Sequence, residues 1–278
     1  MTHLPVSPIA PASRNVSAGH RLPYRLHIPA RAVPGAAPIV AVHGVSRNAG
    51  EHLRAYRAIA ERTGRILVAP RFTKSGHPRY QRLGTPGRPA DVALIGALEE
   101  IAAATGSTAA RVILIGFSGG AQFAHRFAMA HPERVAALGL GAAGWYTLPD
   151  PGLSYPFGLD GEEPRAAAAR ANLDRFLCLP MHVHVGALDL ERDEVFRVDP
   201  DLDAVQGATR VERAARWTHA VTETALSRGL APRVTFELLP GCTHSFADCV
   251  KAGALPLRLG DWLDSLRLAH DIEPRTMP

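Results

Sequence analysis

The sequence predicts an α/β fold: a mostly parallel central sheet covered by helices on both faces. Two observations carry that expectation. Short segments that are apolar at every position recur along the chain, as sheet strands buried on both faces require. Between them lie longer stretches whose apolar residues repeat at helical spacing. The 278 residues could hold one large domain or two small ones. No internal repeat or low-complexity linker divides them, so the reading is a single domain over 21–278 preceded by an arm at 1–20.

Each element follows in order. Residues 1–20 are rich in Pro, Ser and Ala and read as loosely held. Residues 39–42 form the first buried strand, ending at His43-Gly44. Over residues 51–62, Leu53, Tyr56, Ile59 and Ala60 share one helical face. Residues 66–69 make the next strand, stopped by Pro70. Over 90–104, Val92, Ile95, Leu98 and Ile101 recur at helical spacing. A strand at 112–115 and a helix at 121–130 follow, the helix closed by His131-Pro132. A strand at 135–140 precedes a long excursion, 141–180, read as a small lid. It carries Trp145, Tyr146, Tyr155 and Phe157 and a helical stretch around 165–176. A strand at 181–185, a helix from about 208 to 227, a strand at 234–239 and a helix within 255–268 complete the pattern.

Composition excludes several classes. Three cysteines, Cys178, Cys242 and Cys249, are too few and too odd in number for a disulfide framework. No apolar run approaches the roughly 18 residues that cross a bilayer. The first residues lack a basic start and apolar core, so a soluble, cytoplasmic protein without a membrane partner is expected; export from a trimmed precursor stays open. The net charge of +5 invites a nucleic-acid partner. However, only Lys74 and Lys251 are lysine, so arginine supplies the other 29 of 31 basic residues, scattered among acids. With no compact basic stripe or stacking motif, no nucleic-acid partner is expected.

The strongest local signal is Gly116-Phe117-Ser118-Gly119-Gly120, a G-x-S-x-G between a strand and a helix. A serine at the tip of so sharp a turn occupies strained backbone space, and side chains beside it would collide. The turn raises the hydroxyl to the sheet edge, and the helix N-terminus behind it offers amide hydrogens to a developing oxyanion. A serine hydroxyl is a poor nucleophile at neutral pH and needs a base and an orienter. Both residue types stand after later strands: Asp189 follows 181–185, and His244 follows 234–239. Glu191, Asp193 and Glu194 remain alternatives for the acid.

With these residues in view, the chain resembles the α/β-hydrolase superfamily over roughly residues 22–268. Within it, the sequence is similar to esterases of the polyhydroxybutyrate-depolymerase and feruloyl-esterase kind. The resemblance implies a catalytic triad of Ser118, Asp189 and His244. It also implies an oxyanion hole made by the Val45 and Gly119 amides, with His43-Gly44 as the oxyanion turn. Val45-Ser46 stands where the lipase subgroup has further glycines, which leaves Ser46 as a supporting contact.

Other clusters carry less. Asp199, Asp201 and Asp203 imitate the start of a calcium loop, but Ala204 stands where glycine is needed and Arg210 where glutamate should close the site. His182 and His184 share a strand face without an identifiable further ligand. His43, His125 and His131 read as structural. No metal and no cofactor is expected.

The loop 72–89 carries Lys74, His77, Arg79, Arg82 and Arg88 and suggests a positive rim to the pocket, which Arg47 joins; Trp145 and Tyr146 are candidate substrate contacts. The function expected is a serine hydrolase cleaving a small carboxylic ester, one with a free carboxylate among the options. A peptidase or amidase with the same triad, or a non-catalytic binding module of this fold, stays open. The oligomeric state is not legible.

Overall fold

A computed structural model describes residues 22–266. The arm expected at 1–20 lies outside the described residues, as does the end of the last predicted helix. The chain starts with β1 (Tyr24–His27), β2 (Ile39–Val42), α1 (Ala49–Thr63) and β3 (Leu67–Pro70). After a single-turn helix at Tyr80–Arg82 comes a small hairpin, β4 (Gly84–Thr85) and β5 (Arg88–Pro89), then α2 (Ala90–Thr105). The centre is β6 (Val112–Phe117), α3 (Gly119–Ala130) and β7 (Val135–Gly141). Beyond it follow α4 (Pro164–Ala171), α5 (Leu173–Leu177), β8 (Met181–Gly186), α6 (Pro200–Gln206) and α7 (Arg210–Ser227). The last elements are β9 (Val234–Leu239), α8 (Phe246–Lys251) and α9 (Leu255–Ser265).

Seven strands form one sheet in the order β1-β3-β2-β6-β7-β8-β9. All neighbours pair in parallel except β1, which runs antiparallel on the edge against β3. Strands β2, β3, β6, β7 and β8 are buried at every position, which is why they read as unbroken apolar runs. The exposed edge strand β1 has no such signal, and the sequence reading passed over it.

The chain steps from β2 outward to β3 and from β6 outward in the opposite direction to β7. Right-handed crossovers therefore place α1 on one face and α3 and α7 on the other. α9 returns to pack on α1, while Trp217 of α7 meets His125 of α3 and Phe176 of α5. The reversal leaves a crevice between the C-terminal ends of β2 and β6, the place where open α/β sheets bind ligands. His43-Gly44 and Ser118 lie at those two strand ends.

Three differences from the sequence reading have physical reasons. The helix expected from about 208 is preceded by a separate one: Asp199 caps α6 through its side chain, and Thr209 caps α7 in a capping box with Glu212. The calcium-like aspartates are thus a helix N-terminus, with Asp203 paired to Arg213 at 2.6 Å. The stretch around 165–176 is two helices meeting at Asn172, whose side-chain amide donates to the Ala130 carbonyl at 2.9 Å. Of the excursion read as a small lid, residues 142–149 are buried throughout, whereas most of 150–175 is exposed or half-buried.

Buried histidines act as neutral struts. His125 donates from Nδ1 to the Ala121 carbonyl (2.8 Å) and accepts the Thr147 amide at Nε2 (2.9 Å). His52 stacks on Phe246 with ring centroids 4.0 Å apart. Desolvation lowers the pKa of His43 to about 4 and of His52 to about 3, and holds His125 and His184 well below the ordinary value. Because the unfolded chain binds protons near pH 6.5 and the folded one does not, stability is full above about pH 7 and falls with acidification. Each histidine contributes a slope of up to about 1.4 kcal/mol per pH unit until its folded pKa is reached. Urea denaturation at pH 7.5, 6.5 and 5.5 should show a steep loss of stability. His52→Phe, which keeps the stacking, should flatten the slope by close to one proton; equal stability at all three pH values would contradict this.

Candidate active site

The centre of the site is the turn between β6 and α3. Ser118 has φ 52° and ψ −117°, a conformation that L-residues rarely adopt. Two glycines make it possible. A Cβ on Gly116 would lie 2.2 Å from the Gly120 carbonyl oxygen, and one on Gly120 would lie 2.1 Å from the Val42 carbonyl oxygen. The Ser118 amide donates to the Gly141 carbonyl at 2.7 Å, tying the turn to the neighbouring strand.

Three separate strand ends deliver the polar side chains. His244 Nε2 lies 3.1 Å from Ser118 Oγ, and His244 Nδ1 lies 2.7 Å from Asp189 Oδ2. With Asp189 accepting the Nδ1 hydrogen, Nε2 is left to accept from the serine hydroxyl. The acid and histidine loops are bonded to each other: the Leu188 amide donates to the Cys242 carbonyl at 2.9 Å. Gly186 permits the crossing, since a Cβ there would lie 2.3 Å from the Cys242 carbonyl oxygen. Of the alternatives for the acid, none reaches His244; Asp193 has another task.

That task is Arg210, which the sequence reading met only as a residue unfit for a calcium loop. Its side chain is about 1% exposed, as is that of Asp189. Arg210 Nη1 donates to Asp189 Oδ1 at 3.2 Å, and Nη2 to both carboxylate oxygens of Asp193 at 2.8 and 2.9 Å. Asp189 therefore accepts from His244 on one oxygen and from Arg210 on the other. No local pattern announces this contact, because the two residues lie 21 positions apart with a separate helix between them.

The turn after β2 forms the opposite wall. His43 donates from Nδ1 to the Gly44 carbonyl at 2.8 Å and accepts the Phe72 amide at Nε2 at 3.0 Å. The Tyr80 hydroxyl donates to the His43 carbonyl at 2.9 Å. The turn is thus braced from three sides, and the low pKa of His43 keeps it neutral. The Val45 side chain lies 3.1 Å from where a Cβ on Gly119 would be, so the turn after β2 packs against the first residue of α3. Among the described residues, no acceptor takes the amide hydrogen of Val45 or Gly119.

The expected substrate contacts fare unequally. Ser46 is exposed at the mouth of the turn. Arg47 donates to the Phe72 carbonyl and lies 5.1 Å from the Tyr80 ring centre, so it holds the loop after β3. Trp145 is 5% exposed, its ring 4.0 Å from the Arg126 guanidinium. Tyr146, expected as a substrate contact, is instead wholly buried, stacked on Trp217 at 5.0 Å and clamped through its backbone by the Gln206 amide at 2.9 and 2.8 Å. Both bonds hold it in the layer beneath α7. His77 is also buried and is no part of a rim.

Cys242 and Cys249 are free, buried thiols, and burial pushes the Cys249 thiol up to about 12. His182 bonds Thr235 at 2.9 Å and faces Glu237 at 3.3 Å. Among the described residues, no group of three metal-ligating side chains comes together, and no helix is long and apolar enough to cross a membrane.

No protein-family model and no curated protein sequence matches the chain. Solved structures do. The chain is similar to LpqC, a poly(3-hydroxybutyrate) depolymerase from Bordetella parapertussis, at 25% identity and a TM-score of 0.72, over 89% of this chain and 85% of that one. It is also similar to poly(aspartic acid) hydrolase-1 from Sphingomonas sp. KT-1, at 21% identity and a TM-score of 0.72, over 86% and 92% of the two chains. A third likeness, at 13% identity and a TM-score of 0.57, is to the S-formylglutathione hydrolase FrmB from Staphylococcus aureus, over 92% and 99%. With its sheet order, its crevice at the β2–β6 reversal and these likenesses, the chain has the α/β-hydrolase fold.

Proposed function

We propose that the protein is a serine hydrolase that cleaves carboxylic esters through an acyl-enzyme, with Ser118, His244 and Asp189 as its triad. The observation that carries this reading is the continuous line from Ser118 Oγ to His244 Nε2 at 3.1 Å and from Nδ1 to Asp189 at 2.7 Å. His244 takes the serine proton as Oγ attacks the ester carbonyl, forming the C–O bond and a tetrahedral oxyanion. The Val45 and Gly119 amides stabilise that oxyanion, each donor contributing about 3 kcal/mol. As the intermediate collapses, the bond to the leaving alcohol breaks and the alcohol takes the proton from His244. Water then attacks the acyl-enzyme by the same route, releasing the acid and restoring Ser118. Support also comes from the likeness to a poly(3-hydroxybutyrate) depolymerase, whose substrate is a polyester.

Arg210 fits this mechanism as a positioning residue. It leaves Asp189 one oxygen for His244 and offsets the cost of burying a carboxylate. In turn Asp193, more exposed than Asp189, anchors the outer side of the guanidinium.

Two measurements test the reading. Ser118→Ala should lower turnover of a short p-nitrophenyl ester by at least about 10⁴-fold and abolish labelling by a fluorophosphonate probe. Wild-type rates in that variant would refute the assignment. Arg210→Met should lower kcat by about 10-fold or more, with KM little changed. The same change made in an Asp189→Asn background should cost far less, since the arginine acts through that carboxylate. Full additivity would show Arg210 to be merely structural.

A further inference from the structure

Three guanidinium groups surround the Trp145 indole. Arg126 lies 4.0 Å, Arg82 5.3 Å and Arg197 5.8 Å from its ring centre, and Arg197 also lies 5.0 Å from the Phe157 ring centre. Such stacking suits arginine but neutralises none of its charge. Among the described residues, no carboxylate comes within ion-pair distance of Arg82 or Arg126; Arg197 alone has one, Asp199 at 2.9 Å. Arg126 is wholly buried and holds neutral groups: the Thr147 hydroxyl and the carbonyls of Gln81 and Gln122, at 2.9 to 3.0 Å. Its Nη2 has no hydrogen-bond partner. Burial lowers its pKa to about 9, which still leaves it charged at neutral pH. Burial, and after it the repulsion of the nearby Arg197 and Arg79 guanidiniums, lowers the pKa of Arg82.

Three cations gathered around one indole, two of them without a carboxylate, are a costly arrangement unless something negative completes it. The place of the cluster says what that is. Arg126 stands two turns along α3 from Ser118, about 12 Å at 1.5 Å per residue. Gln81, whose carbonyl it holds, has its Cγ 3.3 Å from where a Cβ on Gly119 would be, against the expected oxyanion hole. Gln122, the other carbonyl, is one turn from Ser118 and donates its amide to the Ser118 carbonyl at 3.1 Å. Arg126 is therefore linked to the serine turn through Gln81 and Gln122. Arg82 and Arg197 are the accessible members, both partly exposed. Arg165 fixes the segment of Arg82 by donating to the carbonyls of Arg82, Leu83 and Gly84.

Resting on the ester-hydrolase reading, we infer that Arg82 and Arg197, backed by Arg126 across Trp145, form an anion subsite that selects esters carrying a free carboxylate remote from the scissile bond. The carboxylate bonds the two exposed guanidiniums, and the buried one supplies unscreened positive potential behind them. Neutral esters are turned over without this contribution.

The test pairs p-nitrophenyl hydrogen glutarate with p-nitrophenyl valerate, equal in acyl length and differing in charge. At low ionic strength, kcat/KM for wild type should favour the glutarate by about 10-fold or more, and the preference should shrink toward unity in about 0.5 M salt. Arg82→Gln and Arg197→Gln should each reduce the ratio severalfold. Arg134→Gln, at the opposite end of the sheet before β7, should leave both rates as they are. A ratio near or below one in wild type, or one unchanged in both variants, overturns the inference while the hydrolase reading stands. If neither ester is cleaved, the hydrolase reading fails, and glutarate binding by calorimetry still decides the subsite. Glutarate should bind wild type and not the Arg82→Gln/Arg197→Gln double variant, with butyrate binding neither; no glutarate binding overturns it.

Discussion

The positive φ of Ser118 is the constraint on which the rest of the architecture depends. A backbone held in that region costs on the order of 1–3 kcal/mol and persists only where its surroundings allow no relaxation. Here β6 is buried along its whole length, α3 starts immediately after the serine, and the two flanking glycines let β2, β6 and α3 approach within what would be a steric overlap for any side chain. The strain is thus balanced by the packing of the central strands. In return the hydroxyl stands clear of the sheet, beside the braced turn at His43-Gly44 and facing the histidine from the far edge.

What the sequence reveals of this arrangement divides along a physical line. Strands buried on both faces are legible because burial demands apolar residues at every position, and β2 matches its expected bounds; so does β9, although it is a largely exposed edge strand. Ser118, Asp189 and His244 are legible because each lies within a few residues of the end of a strand that the sequence marks. Arg210 and Gln206 are not, since their partners lie on other elements and nothing in the neighbouring residues encodes the meeting. Tyr146 was misplaced for a related reason. An aromatic residue in a loop after a strand reads as pocket lining, whereas here two bonds from one glutamine turn it into the interior.

The near-absence of lysine acquires a structural meaning at this level. Arg126, Arg165, Arg210 and Arg213 all place planar donors where several acceptors converge, chiefly main-chain carbonyls for Arg126, Arg165 and Arg213 and chiefly carboxylates for Arg210. An ammonium group could not span those acceptors, because its donors radiate from one point. Arginine therefore takes the place of secondary structure in ordering the loops around the crevice. The same residues concentrate positive charge on the side of the molecule where the strands end.

The crossing of the Asp189 and His244 loops at Gly186 has a bearing on how the molecule comes into being. β8 and β9 form the far edge of the sheet and are the last strands to leave the ribosome, well after the serine turn has been synthesised. Until that edge docks, the nascent chain carries an elbow without a base, and its serine is as inert as any other. When β9 joins β8, the two loops close on each other through one main-chain bond, and base and orienter arrive together. Reactivity is in this sense a property of the finished sheet, acquired in one step at the end of folding.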